Sequence, residues 1–445
     1  MKIIGNATVV TLGENHRVIE NGAVAYDEKK IHAVGTTEDL KQRFPKAKVK
    51  NVKGRLLMPG IVNTHMHLYS TFARGIALKD APPTNFVQIL ERLWWRLDKA
   101  LTKEDLYLTA MIPLLDAVRN GVTTLIDHHA SPNCIPGSLS TLRDAFRKCG
   151  LRGSLCYEIS DRDGFERCDA GFEENANFIR GLKLESEPDI TGMIGLHASF
   201  TLSDTTLERA AELMKALHTG VHIHVAEDKS DNQDALNRGY RSVVDRLHRF
   251  NLTGPDSIFV HGVHCDLHDI QTLALTKTNV VHNPRSNMNN AVGCSPLEKM
   301  MEEKLNVSFG TDGMSASPLE DLMVANILHK HQAQDPRKIY GEAWKMFAVN
   351  GPRLASKLFK KKVGTIEEDA APDLVVWDYL PPTPITADNT FGHLTFGLPF
   401  SRVQTTISQG HTIMEDGQLT FLEEGEEEEM MAKSRELARS LWNRF

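Results

Sequence analysis

Hydrophobic and polar positions change rhythm twice along this 445-residue chain. Over residues 1–57, short runs alternate apolar and polar side chains, the period of half-buried strands. Within them AVAYDEKKIHAVG (23–35) predicts two strands around a polar turn at Asp27–Lys30. The far end repeats the pattern in DLVVWDY (373–379) and in VQTTISQGHTIMEDGQL (403–419), whose Gln409-Gly410 and Asp416-Gly417 pairs read as hairpin turns. Between the two ends, short β-branched or apolar runs alternate with longer amphipathic stretches, the signature of βα units. Eight such runs stand out: GIVNTHMH (60–67), VTTLIDH (122–128), RGSLCYEI (152–159), TGMIGLH (191–197), VHIHVAE (221–227), SIFVHG (257–262), NVVHN (279–283) and NVSFGTD (306–312). Stretches such as LYLTAMIPLLDAVRNG and LERAAELMKALHTG separate them, with Gly121 and Gly220 as helix stops.

Eight βα repeats in about 300 residues predict an α/β chain built on a (β/α)8 TIM barrel rather than an open doubly wound sheet. The barrel is expected over 58–360. The two β-rich ends, 1–57 plus 361–425, are expected to combine into one small β-sandwich domain, because the termini of a domain usually lie close together. Residues 426–445 predict a C-terminal helix with Met430, Leu437, Leu441 and Trp442 on its apolar side. The glutamates that open this helix sit where its dipole favours negative charge, so they need no functional explanation.

Charge narrows the partners. Lys+Arg 51 against Asp+Glu 58 leaves −7, and six of the acids are Glu423, Glu424 and Glu426 to Glu429. The remainder is close to neutral, without the basic surplus a nucleic-acid backbone demands. No stretch approaches the roughly 18 apolar residues of a membrane span. No G-x-G-x-x-G or P-loop opens a helix. The six cysteines form no C-x-x-C pair, which reads as free thiols of a reduced, cytoplasmic protein. A small-molecule substrate is the expected partner, with no nucleic acid and no membrane.

The chemistry gathers at the ends of the runs. His65 and His67 close the first run, and residues i and i+2 of a strand face the same side, so both imidazoles can point inward. His224 in the fifth run is the candidate third nitrogen ligand; Glu227, three residues on, leaves the strand and reaches over the metal without binding it. The alternative is that His222 and His224 are polar residues filling a barrel layer. His261 ends the sixth run and Asp312 the eighth. All six stand at C-terminal strand ends, the face where TIM-barrel active sites assemble. Three imidazoles and one carboxylate suit one Zn²⁺ or Fe²⁺ ion. His128, His129, His197 and His282 also close runs, and of these His197 is the candidate for substrate contact. Specificity is expected in residues 69–98, where Arg74, Trp94, Trp95 and Asp98 could meet the ligand; one tryptophan is expected in the core and the other over the pocket. Arg285 is a candidate for a carboxylate or phosphate on the substrate.

With these residues in place the chain resembles the amidohydrolase superfamily, in its branch of metal-dependent deaminases and chlorohydrolases. The matching elements are MPGIVNTHMH (58–67), HVAE (224–227), VHGVH (260–264), VHNPRSN (281–287) and FGTDG (309–313). LWWRLD (93–98), IDHHASP (126–132), SLSTLRDAF (138–146) and RSNMNN (285–290) bring it closest to the SsnA-type aminohydrolases. The resemblance implies that His65, His67, His224 and Asp312 bind one divalent metal, zinc or iron, and that Glu227 is the proton shuttle. It implies further that His261, with Asp312, steers the proton of the attacking water and that His197 touches substrate. His197-Ala198-Ser199-Phe200 stands where two-metal members carry a bridging lysine, so one metal is expected. Dimers are common in this branch, which leaves room for a homodimer.

The expected function is therefore a metal-dependent aminohydrolase, a deaminase that cleaves a C–N bond of a nitrogen heterocycle such as a purine-like ring. A cyclic amide hydrolase or a chlorohydrolase on the same metal site is the alternative. A non-catalytic barrel kept for binding or assembly is the alternative from another class, and the complete ligand set argues against it.

Overall fold

In the computed structural model, which describes residues 1–185 and 187–445, the chain ends and the middle form different sheets. The first is assembled from β1 (Lys2–Val10), β2 (Val18–Tyr26), β3 (Ile31–Thr36), β4 (Lys48–Asn51) and β5 (Leu56–Pro59). The alternation over 23–35 does make a hairpin there, with the Asp27 N–H donating to Lys30 O across the turn.

The middle of the chain supplies β6 (Ile61–Met66), β7 (Val122–Asp127), β8 (Arg152–Leu155), β9 (Ile190–Gly192), β10 (Ile194–Ala198), β11 (Val221–Val225), β12 (Ile258–His261), β13 (Asn279–His282) and β14 (Val307–Phe309). These run parallel in two arcs, β6 to β9 and β10 to β14. β9 and β10 are two stretches of one strand interrupted at Met193, so the fourth barrel position belongs to both arcs. Parallel bridges between Ile159 and Leu196, and between Met66 and Asp312, knit the arcs into a (β/α)8 barrel. The first seam needs Gly195: a Cβ there would lie 2.3 Å from Tyr157 O. At the second seam Thr64 Oγ1 donates to Phe309 O and Asn63 Nδ2 to Thr311 Oγ1, both at 2.8 Å.

The chain then returns to the first sheet with β15 (Leu374–Trp377), β16 (Val403–Ser408), β17 (His411–Glu415) and β18 (Gln418–Leu419). One path of hydrogen bonds, β18-β17-β16-β15-β5-β1-β2-β3 with β4 beside β1, links all the strands of the sandwich domain. Ile4, Val24, Leu57, Val376 and Ile407 share its core. A helix absent from the sequence reading, Thr390–Phe396, is inserted between β15 and β16. Arg152, fully buried at the start of β8, pairs with Asp189 and with Asp373, the residue before β15, and so ties barrel to sandwich.

Between β6 and β7 the chain makes a cover of short helices, Leu68–Ala73, Phe86–Ile89 and Trp95–Ala100, with a π-helical turn at Leu90–Trp94. A π turn adds a residue to the helical repeat and re-aims the side chains that follow it. The C-terminal helix Glu426–Arg444 pins this cover: Trp442 Nε1 donates to Phe72 O at 2.7 Å and Arg444 Nε to Ala100 O at 2.9 Å. No helix among the described residues is long and apolar enough to cross a membrane.

Candidate metal centre

The inward parity of β6 and the neighbouring position of β14 bring the first group together. One ligand atom each from His65, His67, His224 and Asp312 lies within 4.8 Å of all the others. Asp312 Oδ1 is 3.4 Å from His65 Nε2 and 3.1 Å from His67 Nε2. The Nε2 atoms of His67 and His224 are 3.1 Å apart. Gly310 makes this approach possible, since a Cβ there would sit 2.5 Å from Asn283 Oδ1 and 2.7 Å from the His65 Cβ.

The other ring nitrogen of each histidine is already committed. His67 Nδ1 donates to His128 O at 2.6 Å and His224 Nδ1 to His197 O at 2.9 Å, while His65 Nδ1 meets His222 Nε2 at 2.9 Å. A carbonyl oxygen can only accept, so in the neutral rings of His67 and His224 the lone pair sits on Nε2, the atom turned toward the cluster. His65 Nε2 and His261 Nε2 are buried without a hydrogen-bond partner. Three converging imidazole lone pairs and a carboxylate, each oriented from behind, are the donor set and support a divalent cation requires. The residues fit such an ion. His222 stands behind His65, in the barrel layer of the alternative reading, while His224 turns Nε2 toward the group.

Beside Asp312 stand His261 and Glu227. His261 Nε2 is 3.3 Å from Glu227 Oε2 and 3.8 Å from Asp312 Oδ2. Its Nδ1 lies 2.8 Å from Asn287 Oδ1, which accepts its proton and leaves Nε2 as a base facing the site. Ser286 Oγ donates to Asp312 Oδ2 at 2.5 Å and Asn290 Nδ2 to Glu227 Oε1 at 3.3 Å. Ala226, His261 and Asp312 have φ of 48°, 75° and 53°, left-handed values that cost a residue with a Cβ roughly 1–2 kcal/mol each. The turn at Ala226 is what carries Glu227 off β11 and over the group.

Burial and neighbours divide the carboxylates. Burial pushes Asp312 up, but hydrogen bonds with His65 and His67 outweigh it and hold it well below the carboxylate range. Burial and the charge of Asp312 push Glu227 well above that range, against the Asn290 bond. The two neighbouring carboxyl groups are therefore pushed in opposite directions, the division of roles that acid–base chemistry needs. Burial pulls His65 down to about 4. In His67 burial acts downward too, but Asp312 overrides it and raises the ring to about 9.

A cavity open in part to solvent lies above this floor, with about 820 Å³ of space between atoms when the open solvent is included. Phe86, Leu90, Trp94, Trp95, Phe200 and Met314 form its apolar roof. His197 lines it, with Nδ1 2.8 Å from Thr201 Oγ1 and its ring 6.1 Å from Trp95. Both tryptophans line the cavity, where only one was expected to, because the π turn aims the pair the same way. Asp98 lines it as well, bonded to Arg162, with Oδ1 buried and unpartnered.

Two expected contacts are not brought to the site. Arg285 does not line the cavity: its guanidinium bonds Asp321, Glu320 and Ser315 on and before the helix Pro318–Ala333. A fork already filled by two carboxylates has little left for a ligand. Arg74 is exposed, 3.9 Å from Asp116. His128, His129 and His282 lie behind the cavity, against His222 O, Ser131 and Ser295 respectively.

Sequence reasoning missed Glu158, a buried acid on the cavity wall, and the supports Ser286, Asn287 and Asn290. A signal existed for each. Glu158 is the one charged residue inside CYEI at the end of an apolar run, and Ser286 and Asn290 are spaced i, i+4 on the turn after β13.

Comparison with known proteins agrees with this geometry. The model of the Amidohydrolase family matches residues 56–413. The 5'-deoxyadenosine deaminase of Methanosarcina mazei is 30% identical over 427 residues, covering 95% of this chain and 94% of that protein. The 5-methylthioadenosine/S-adenosylhomocysteine deaminase of Caldanaerobacter subterraneus subsp. tengcongensis is 28% identical, covering 93% of each. Among solved structures, an adenosine deaminase from Xanthomonas campestris with bound zinc superposes with a TM-score of 0.85 at 22% identity, over 99% of this chain and 98% of that one.

Proposed function

The chain belongs to the amidohydrolase family, and from that premise we propose that it is a metal-dependent deaminase that releases ammonia from an amino-substituted, purine-like ring. One observation carries the reading: four ligand atoms from three separate strand ends converge within 4.8 Å, with an acid and a base beside them under an aromatic roof. The adenosine-type compounds in the relatives' names support the purine-like ring.

His65, His67, His224 and Asp312 would hold one divalent cation, and zinc suits this set of three nitrogens and one oxygen. When bound, such a cation supplies Lewis acidity that brings the pKa of water toward neutrality. The chain's own groups then divide the proton work. His261 Nε2, with its other nitrogen fixed by Asn287, and Asp312 Oδ2, held by Ser286, are the atoms that accept the proton of the attacking water. Glu227, whose burial beside Asp312 favours the protonated form, gives its proton to the ring nitrogen next to the attacked carbon. The proton taken from water passes from His261 Nε2 to the now ionised Glu227 carboxylate, 3.3 Å away, and from there to the departing amino group, so that ammonia leaves rather than an amide ion. Trp94, Trp95 and Phe200 hold the ring and exclude water, while His197 and Asp98 offer polar contacts to the ligand.

Metal analysis of the purified protein beside an ammonia-release screen of purines, pterins, pyrimidines and triazines tests this. About one equivalent of metal and ammonia from a purine are expected. A metal-free, fully folded protein that still turns over, or turnover without ammonia, would overturn it.

A further inference from the structure

The reaction above leaves Glu158 without a task. It lies three residues past β8, its side chain is 5% exposed, and it lines the cavity beside His67, His224, Asp98 and Trp95. Two imidazole nitrogens lie within 4 Å of its carboxylate, Nδ1 of His128 at 3.4 Å and Nδ1 of His224 at 3.6 Å. Neither can donate to it. His224 spends its Nδ1–H on His197 O, and His128 places its Nε2–H on His222 O, which leaves Nδ1 of that neutral ring a lone pair. Among the described residues, no side chain or backbone N–H donates a hydrogen bond to the Glu158 carboxylate. The other acids of this cavity do have donors: Asp98 has Arg162, Glu227 has Asn290, Asp228 has the N–H of Ser230, Asp231 has the N–H groups of Phe200 and Ala226, and Asp312 has Ser286.

Buried acceptors in folded proteins are almost always matched, and an unmatched one at a cavity wall is matched by what enters the cavity. We propose that Glu158 is a specificity-determining residue, whose carboxylate accepts a hydrogen bond from an N–H or O–H of the substrate other than the departing amino group. The inference rests on the deaminase reading. The two acids then do separate jobs: Glu227, on the His261 flank, moves protons, and Glu158, on the His128 flank, reads a donor. That donor has two chemical sources, the ring N–H of an amino-oxo heterocycle or a 2'- or 3'-hydroxyl on a sugar substituent. A bare aminopurine offers neither on its six-membered ring.

Two substrate pairs separate the sources: guanine against 2-aminopurine for the ring N–H, and adenosine against 2',3'-dideoxyadenosine for the 2'- and 3'-hydroxyls. Ammonia release gives kcat/KM for each with the metal-replete wild type and with Glu158→Leu, which removes the acceptor. The wild type should favour the member that carries the donor in one pair by at least about tenfold, and Glu158→Leu should bring that ratio close to unity. The pair that collapses names the donor. A wild type without preference in either pair, or a preference that Glu158→Leu leaves intact, overturns the proposal while ammonia release keeps the deaminase reading. Ammonia from none of the four overturns the purine reading and this inference with it. The wild-type comparison needs no variant, so a poorly folded Glu158→Leu does not protect the idea.

Discussion

The floor and the wall of this cavity are built to different standards. On the floor, His65, His67, His224, His261 and Asp312 are each held from behind by a second protein group, so their remaining valences have one direction left. On the wall, Asp98 Oδ1 and Trp95 Nε1 are buried without partners and Glu158 has no donor at all. A floor of this kind is finished before any ligand arrives, because a cation needs fixed geometry. A wall of this kind is completed by the ligand, whose own donors and acceptors decide whether it fits. One cavity thus joins a floor of mutually held polar groups to a wall whose polar groups are unmatched.

Loss of a floor ligand should have the largest effect. His224→Ala should lose metal and turnover together, and stoichiometric metal in that variant would remove His224 from the ligand set. Next, Glu227→Gln should keep the metal and lower ammonia release by about 10²–10⁴-fold; near-normal kcat at full metal content would end the proton-shuttle role. Outside both regions, Arg285→Ala should lower stability by about 3–5 kcal/mol, since it strands the fully buried Asp321 without its partner. Its KM should not move, and a raised KM with unchanged thermal unfolding would return Arg285 to the wall. The smallest effect concerns strain on the floor. Ala226→Gly relieves a left-handed φ at a stability gain of about 0.5–1 kcal/mol. It also frees the turn that aims Glu227, so kcat should fall several-fold while the melting temperature rises; no change in either would show that the turn is held by other contacts.

Much of the barrel and of the floor was legible beforehand, for a local reason. Strand parity places His65 and His67 on one side, and the βα rhythm marks where each strand ends. Eight runs read in order therefore named His65, His67, His224 and Asp312, with Glu227 and His261, from positions up to 247 residues apart, and these residues are neighbours in the folded chain. The wall was legible only in part. His197, Trp95 and Asp98 were found because they lie near strand ends or in the long segment after His67. Arg285 was misplaced because its partners, Glu320 and Asp321, sit on a helix whose packing against the turn after β13 leaves no trace in local pattern.

What the amino-acid order determined by itself was the period, the strand ends and the kinds of donor placed there, since all of these depend on neighbours a few residues apart. Only the folded molecule decided which of those donors were already satisfied. That choice depends on contacts between distant segments: Asn287 behind His261, Arg162 against Asp98, and the two imidazoles that face Glu158 with nothing to give. Hydrogen bonding is a matter of pairs, and a pair made across a barrel exists only once the barrel has closed.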